Sequence, residues 1–189
     1  MRVLQRGVTL VEMMVVLVIA GLVLAIAAPT IDWEHYQIES SMEGVGLTLL
    51  AVERQAITQQ HDVIVMCDQA RNELWIHDDA NNNGVVDAGE RLRAMPLGEH
   101  IVFGRGSAPA MASIGSGPIG FTVTEEGYPA MVFHRDGSAS ESQGFYLTST
   151  RATTSSVYTQ DARAIYVDVA TGRASWYRYS TTSGWQRAF

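Results

Sequence analysis

Gly7-Val8-Thr9-Leu10-Val11-Glu12 opens the stretch whose reading decides the fold. Arg2 and Arg6 stand before it. An apolar run over residues 8–28 follows, rich in Leu, Val, Ile and Met, with Glu12 as its one charge. At about 1.5 Å per residue a helix of this length spans roughly 30 Å, the thickness of a bilayer core. The two arginines predict a cytoplasmic N-terminus. Ala20, Gly21, Ala25, Ala27 and Ala28 give the helix a thin side on which a second helix can lie. Glu12 is the anomaly, because a carboxylate costs about 2.5–3.5 kcal/mol at the centre of a membrane helix and less near its edge. No Lys or Arg lies in the run, so the expected partner belongs to another molecule. A secretory signal peptide would explain Ala25-Ile26-Ala27 as a cleavage site, but its apolar region spans only about 7–15 residues. A plain single-pass anchor explains the length and not the carboxylate.

Pro29 closes the run, and the helix is expected to continue beyond it with a kink. Ile38, Met42, Val45, Leu49, Val52 and Ala56 recur at spacings of three and four, which predicts one buried face on a helix to about residue 60. Gly44 and Gly46 interrupt it, as a bend or a close approach would require. From residue 61 the period changes. Short Val-, Ile-, Tyr-, Phe- and Trp-rich runs predict strands over 63–68, 73–77, 91–97, 100–104, 120–124, 130–135, 144–148, 164–169 and 174–179. Residues 105–118 and 150–161, rich in small and polar residues, read as mobile loops. The expected fold is α+β: a long kinked helix on an antiparallel β domain. The expected organisation is a leader (1–7), a transmembrane or filament-core helix (8–29), its amphipathic half (30–60) and a periplasmic β domain (61–189).

The hexapeptide at 7–12 resembles the processing motif of type IV prepilins and type II secretion pseudopilins. Val8 stands where that pattern usually has Phe, and Pro29 sits where it has a kinking proline. Trp75-Ile76-His77 before residues 79–90, Val132-Phe133 before Asp136-Gly137, and residues 164–169 before Thr171-Gly172-Arg173 resemble the GspH/FimT branch. The resemblance implies cleavage between Gly7 and Val8 by a prepilin peptidase, N-methylation of Val8, and pairing of Glu12 with a neighbouring subunit's amine. It implies a single-pass protein of the bacterial inner membrane whose partners are other pilins or pseudopilins, the assembly platform, and lipid before assembly. The function implied is that of a structural subunit of a type II secretion pseudopilus or a type IV pilus. Two other readings remain: a DNA-binding minor pilin for natural transformation, and a secreted or anchored β domain unrelated to filaments.

Composition narrows the chemistry. The 189 residues carry a formal net charge of −7, and losing Arg2 and Arg6 with a leader makes the chain more acidic still. Such a chain is a poor platform for nucleic acid. The one cysteine, Cys67, excludes an internal disulfide and reads as a buried thiol in a strand. Residues 79–90 match the twelve-residue EF-hand calcium loop, with oxygen side chains at Asp79, Asn81, Asn83, Asp87 and Glu90, the Val85 carbonyl at position seven and Gly84 at position six. Strands rather than helices flank it, so a plain Asn/Gly/Asp turn is the competing reading. A structural Ca²⁺ is therefore the one cofactor in question, and none is required. Gly115-Ser116-Gly117-Pro118-Ile119-Gly120 matches G-x-G-x-x-G but lacks the strand–helix setting of a dinucleotide site. His35, His61, His77, His100 and His134 have no metal-ligand spacing, and no catalytic constellation is present, so the chain reads as a non-enzyme. Arg173 and Arg178, set among Trp176, Tyr177, Tyr179 and Trp185, are the candidate nucleic-acid contacts. The acidic balance points instead to a final strand with aromatic faces.

Overall fold

A computed structural model describes residues 8–27 and 32–188. Pro29 and the expected kink lie outside the described residues, as do the leader and Gly7. The chain divides into two compact units, Met1–Trp33 and Glu34–Phe189.

The first unit contains α1 (Leu10–Ala27), an 18-residue helix. Among the described residues no helix is long and apolar enough to cross a membrane. Val8 and Thr9 precede the helix, and Ala28 lies outside the described residues.

The second unit begins on α2 (Trp33–Gln59), which buries Ile38, Met42, Val45, Gly46, Leu49, Val52 and Ala56 along one face. Gln60 then takes a left-handed φ of 58° and ends the helix. Ten strands follow: β1 (Asp62–Asp68), β2 (Glu73–Asp79), β3 (Arg91–Pro96), β4 (Ile101–Phe103), β5 (Thr124–Glu125), β6 (Tyr128–Phe133), β7 (Gln143–Ser149), β8 (Arg163–Val167), β9 (Ala174–Ser180) and β10 (Gly184–Arg187). They form two five-stranded sheets, ordered β3-β2-β1-β6-β5 and β10-β9-β8-β7-β4, with antiparallel pairings. The fold is α+β. One apolar core joins the α2 face to both sheets through Val63, Val65, Cys67, Leu74, Met131, Phe133, Phe145, Leu147 and Ile165. β1 is buried on both sides, since Ile64 and Met66 face a second cluster with Ala130, Trp75 and Tyr128. Burial pushes the Cys67 thiol far above its ordinary pKa, so the thiol is held neutral in the core.

Several local expectations need correction. Residues 120–123 do not form a strand, and of the expected run only Thr124 is extended, opening β5. The Glu141 carboxylate accepts from Thr122 N–H (2.7 Å), Thr122 hydroxyl (2.7 Å) and Val123 N–H (3.3 Å), so a side chain takes the place of a strand partner. Residues 150–161 are not an irregular loop but a short helix, α3 (Thr150–Thr154), and a 3-10 helix (Ser156–Asp161). The fully buried Asp161 carboxylate organises them by accepting from Ser149 hydroxyl (2.6 Å) and Arg151 Nε (2.8 Å). Arg151 in turn lies over the Tyr158 ring, 4.2 Å from its centre. Residues 105–118 are held as well: Met111 N–H donates to Tyr146 hydroxyl (2.7 Å), that hydroxyl donates to Gly115 carbonyl (3.0 Å), and Trp185 Nε1 donates to Pro109 carbonyl (2.8 Å). β10 was not anticipated from sequence.

Candidate functional site

The N-terminal segment starts with Val8 and Thr9 in an irregular, exposed conformation. Thr9 then caps α1. Glu12 N–H donates to the Thr9 hydroxyl (3.2 Å), and Thr9 N–H reaches back to the Glu12 carboxylate (3.5 Å). This T-x-x-E arrangement is a capping box, which satisfies two orphan donors of the first turn. Within its own chain Glu12 thus has a local backbone contact and no cationic one among the described residues. Every described side chain from Val8 to Ala25 is exposed, including Leu10 at 76% and Leu17 at 69%. Apart from Glu12 and Gly21 the helix carries apolar side chains on every side.

Residues 79–90 connect β2 to β3, so strands flank the loop as expected. The loop folds back over the outer face of the first sheet, where Val86 lines a hollow with Met66, Trp75 and Tyr128. Asp79 accepts from Asn83 N–H (3.1 Å) and Gly84 N–H (2.8 Å). Asn81 and Asn83 carbonyl oxygens accept from Asn83 N–H (3.0 Å) and Val85 N–H (2.8 Å), while both amide nitrogens donate to the same Asp87 oxygen (2.8 and 2.7 Å). Glu90 ties the two ends together, accepting from Ala80 N–H (3.0 Å) and Asp87 N–H (3.0 Å), and it meets His77 Nε2 at 2.8 Å. The Asp87 N–H first, then His77, holds the Glu90 carboxyl below the ordinary carboxylate range.

His77 is fully buried, and its other ring nitrogen lies 3.9 Å from Glu125. Burial holds the Glu125 carboxyl above the ordinary range; the charge of His77 opposes this, while Glu126, Asp79 and Glu90 add to it. Among the described residues no three His, Cys, Asp or Glu side chains form a metal-ligand group by themselves. The structure thus brings the five expected side chains of the loop together, with the two amides presenting nitrogen rather than oxygen to Asp87.

The C-terminal arginines do not form a free basic patch. Arg178 on β9 pairs with Glu39 of α2 (3.4 Å), and the buried Arg163 on β8 holds the other oxygen of the same Glu39. Arg173 sits apart in the β8–β9 turn and is exposed. Tyr179 and Trp185 pack edge to face at 5.4 Å between ring centres, and Trp185 also meets Tyr146 at 5.7 Å, so these aromatics serve each other and the 105–118 segment.

Residues 2–28 match the family model described as the prokaryotic N-terminal methylation motif. The chain carries that motif. No curated protein matches the sequence. Among solved structures, the minor pseudopilin EpsH from the Type 2 Secretion System of Vibrio cholerae is similar at a TM-score of 0.39 and 11% identity, over 80% of this chain and 95% of that one.

Gly7, Val8 and Glu12 all fall within the methylation motif, and Gly7 lies outside the described residues. Thr9 was not singled out as a cap by the sequence reading, although T-x-x-E ahead of an apolar run is itself a start signal for a helix. Glu125 was missed for a better reason: it lies 35 residues or more from Glu90 and His77 along the chain, and only the fold-back of the loop brings them together.

Proposed function

We propose that this chain is a structural subunit rather than an enzyme: a type IV pilin-like minor pilin or pseudopilin of the GspH/FimT kind. The observation that carries the reading is the methylation motif over residues 2–28, which takes in the apolar helix α1. A helix of that kind is stable where lipid or other apolar helices surround it. The apolar run at 8–28 then holds the subunit in the inner membrane before assembly, with the β domain in the periplasm. A prepilin peptidase cuts between Gly7 and Val8 and methylates the new amine. During assembly the α1 helices bundle, and Glu12 passes from its local backbone partner at 3.5 Å to the amine of a neighbouring subunit. The long capping contact is weak enough to exchange. The folded unit beyond α1 faces outward and meets the other pilins and the assembly platform.

Mass spectrometry of the mature chain tests the reading. The expected N-terminus is a methylated Val8. An N-terminus at Ala28 would replace the proposal with a cleaved secretory signal. Glu12→Ala is expected to preserve insertion and to reduce crosslinking to neighbouring subunits; undiminished crosslinking would remove Glu12 from assembly.

A further inference from the structure

The loop at residues 79–90 is not used by the proposed assembly, yet it gathers more oxygen than a turn needs. Five oxygen-bearing side chains converge in it, and Asn81 and Asn83 both aim at a single oxygen of Asp87. A separate element adds an observation independent of the loop. Glu125 reaches in from β5, nine-tenths buried, with its Oε1 lacking any hydrogen-bond donor. Its Oε2 faces the loop at Gly84, 3.7 Å from where a Cβ on that residue would sit. Asp79, Glu90 and Glu126 surround it with like charge, and the nearest group able to carry positive charge is His77 at 3.9 Å. A desolvated carboxylate oxygen without a donor is costly, and a neighbourhood of like charges raises that cost. A cation in the loop offsets the like charge that surrounds Glu125.

We propose that residues 79–90, backed by Glu125, form a calcium site. The ligand set is all oxygen, which suits a hard cation and disfavours zinc or copper. Asp79, Asn81, Asn83, Asp87 and Glu90 supply side chains and Val85 its carbonyl. Asn81 and Asn83 turn their amides so that oxygen replaces nitrogen on the side facing Asp87. Gly84, at φ 72°, permits the sharp turn. Glu125 acts from behind the loop through its charge. Two Asn in place of Asp keep the ligand charge low, so the affinity belongs to the weak extracellular range, about 10⁻⁴–10⁻³ M.

The test uses the full chain in detergent after treatment with a chelator, with calcium and magnesium chloride as probes at equal ionic strength. Calcium at about ten times its Kd is expected to raise Tm by about 4 °C, with magnesium well behind. Asn83→Asp adds a ligand charge at an exposed position and is expected to tighten calcium binding several-fold by calorimetry. Glu125→Gln keeps the shape and removes the charge, and is expected to weaken binding several-fold. A Tm that calcium leaves unchanged, or that magnesium raises equally, overturns the proposal. So does an affinity that neither variant changes. None of these outcomes depends on whether the chain enters a filament.

Discussion

α1 leaves Leu10, Leu17 and Leu24 two-thirds or more exposed, whereas α2 buries Ile38, Val45 and Ala56 completely. Both helices are rich in aliphatic residues, so composition alone does not separate them. The distribution does. In α2 the buried apolar residues fall on one stripe that two sheets can cover, and Glu34, Glu43 and Glu53 lie elsewhere on the helix. In α1 they occupy all sides, and no single surface of a folded domain could cover them. The lesson is that α2 was shaped by its own chain and α1 by its surroundings. Substitutions in α2 should therefore act on the stability of the folded unit, and those in α1 on insertion and assembly.

The widest separation is expected from a matched pair of truncations. Leu49, 2% exposed in the core, is expected to lose about 2–5 kcal/mol as Leu49→Ala, since a cavity remains where its side chain packed. Leu17→Ala is expected to leave the melting of the β domain unchanged. Near-UV circular dichroism in detergent reads both. A comparable loss from Leu17→Ala would break the contrast, because it would show α1 to be part of the domain's core.

The glycines sharpen it further. A Cβ on Gly46 would stand 2.3 Å from the Trp176 ring, whereas one on Gly21 would meet nothing within 4 Å. Gly46→Ala gains roughly 1 kcal/mol of helix propensity and loses about 1–3 kcal/mol to overpacking, for a net loss of about 1 kcal/mol. Trp fluorescence should shift as the ring is displaced. Gly21→Ala is expected to keep only the propensity gain. A Gly46→Ala chain as stable as the parent would mean that Trp176 moves aside freely and that the seam between α2 and β9 is loose.

Much of this contrast was legible in the sequence. The three-and-four spacing of Ile38 through Ala56 marks the face of α2, because a helix can bury only a stripe. The strands were legible where β-branched and aromatic residues run together, as in β1 and β8. What failed were segments whose order comes from one distant side chain. Glu141 replaces a strand partner for 122–123, Asp161 builds the helices at 150–161, and Tyr146 and Trp185 fasten 105–118. Local composition there reads as loop because the stabilising group lies elsewhere in the chain. At the candidate calcium loop the ligand spacing was legible and Glu125 was not, since its proximity to Gly84 exists only once the loop has folded over the sheet.

The mildest test acts through pH at the turn beneath the end of α2. Asp136 accepts from Ser138 hydroxyl (2.6 Å) and Ser138 N–H (2.9 Å), and next to it a Cβ on Gly137 would lie 3.3 Å from Ile57 of α2. The serine hydroxyl, and then its N–H, hold the Asp136 carboxyl below its ordinary value. A carboxylate whose pKa is lowered by folding binds its proton less readily in the folded chain than in the unfolded one. Its contribution to stability is therefore present above the ordinary range near ~4 and is lost as pH falls through the lowered value. Asp136→Asn keeps an oxygen acceptor for Ser138 and removes only the ionisation. The variant is expected to melt slightly below the parent at pH 7, and the two curves are expected to converge in acid. Asp136 is exposed, so solvent screening keeps the gap smaller than either of the preceding effects. A gap that persists unchanged in strong acid would show that the turn supports α2 by shape alone, and the ionised carboxylate would drop out of what holds α2 on its domain.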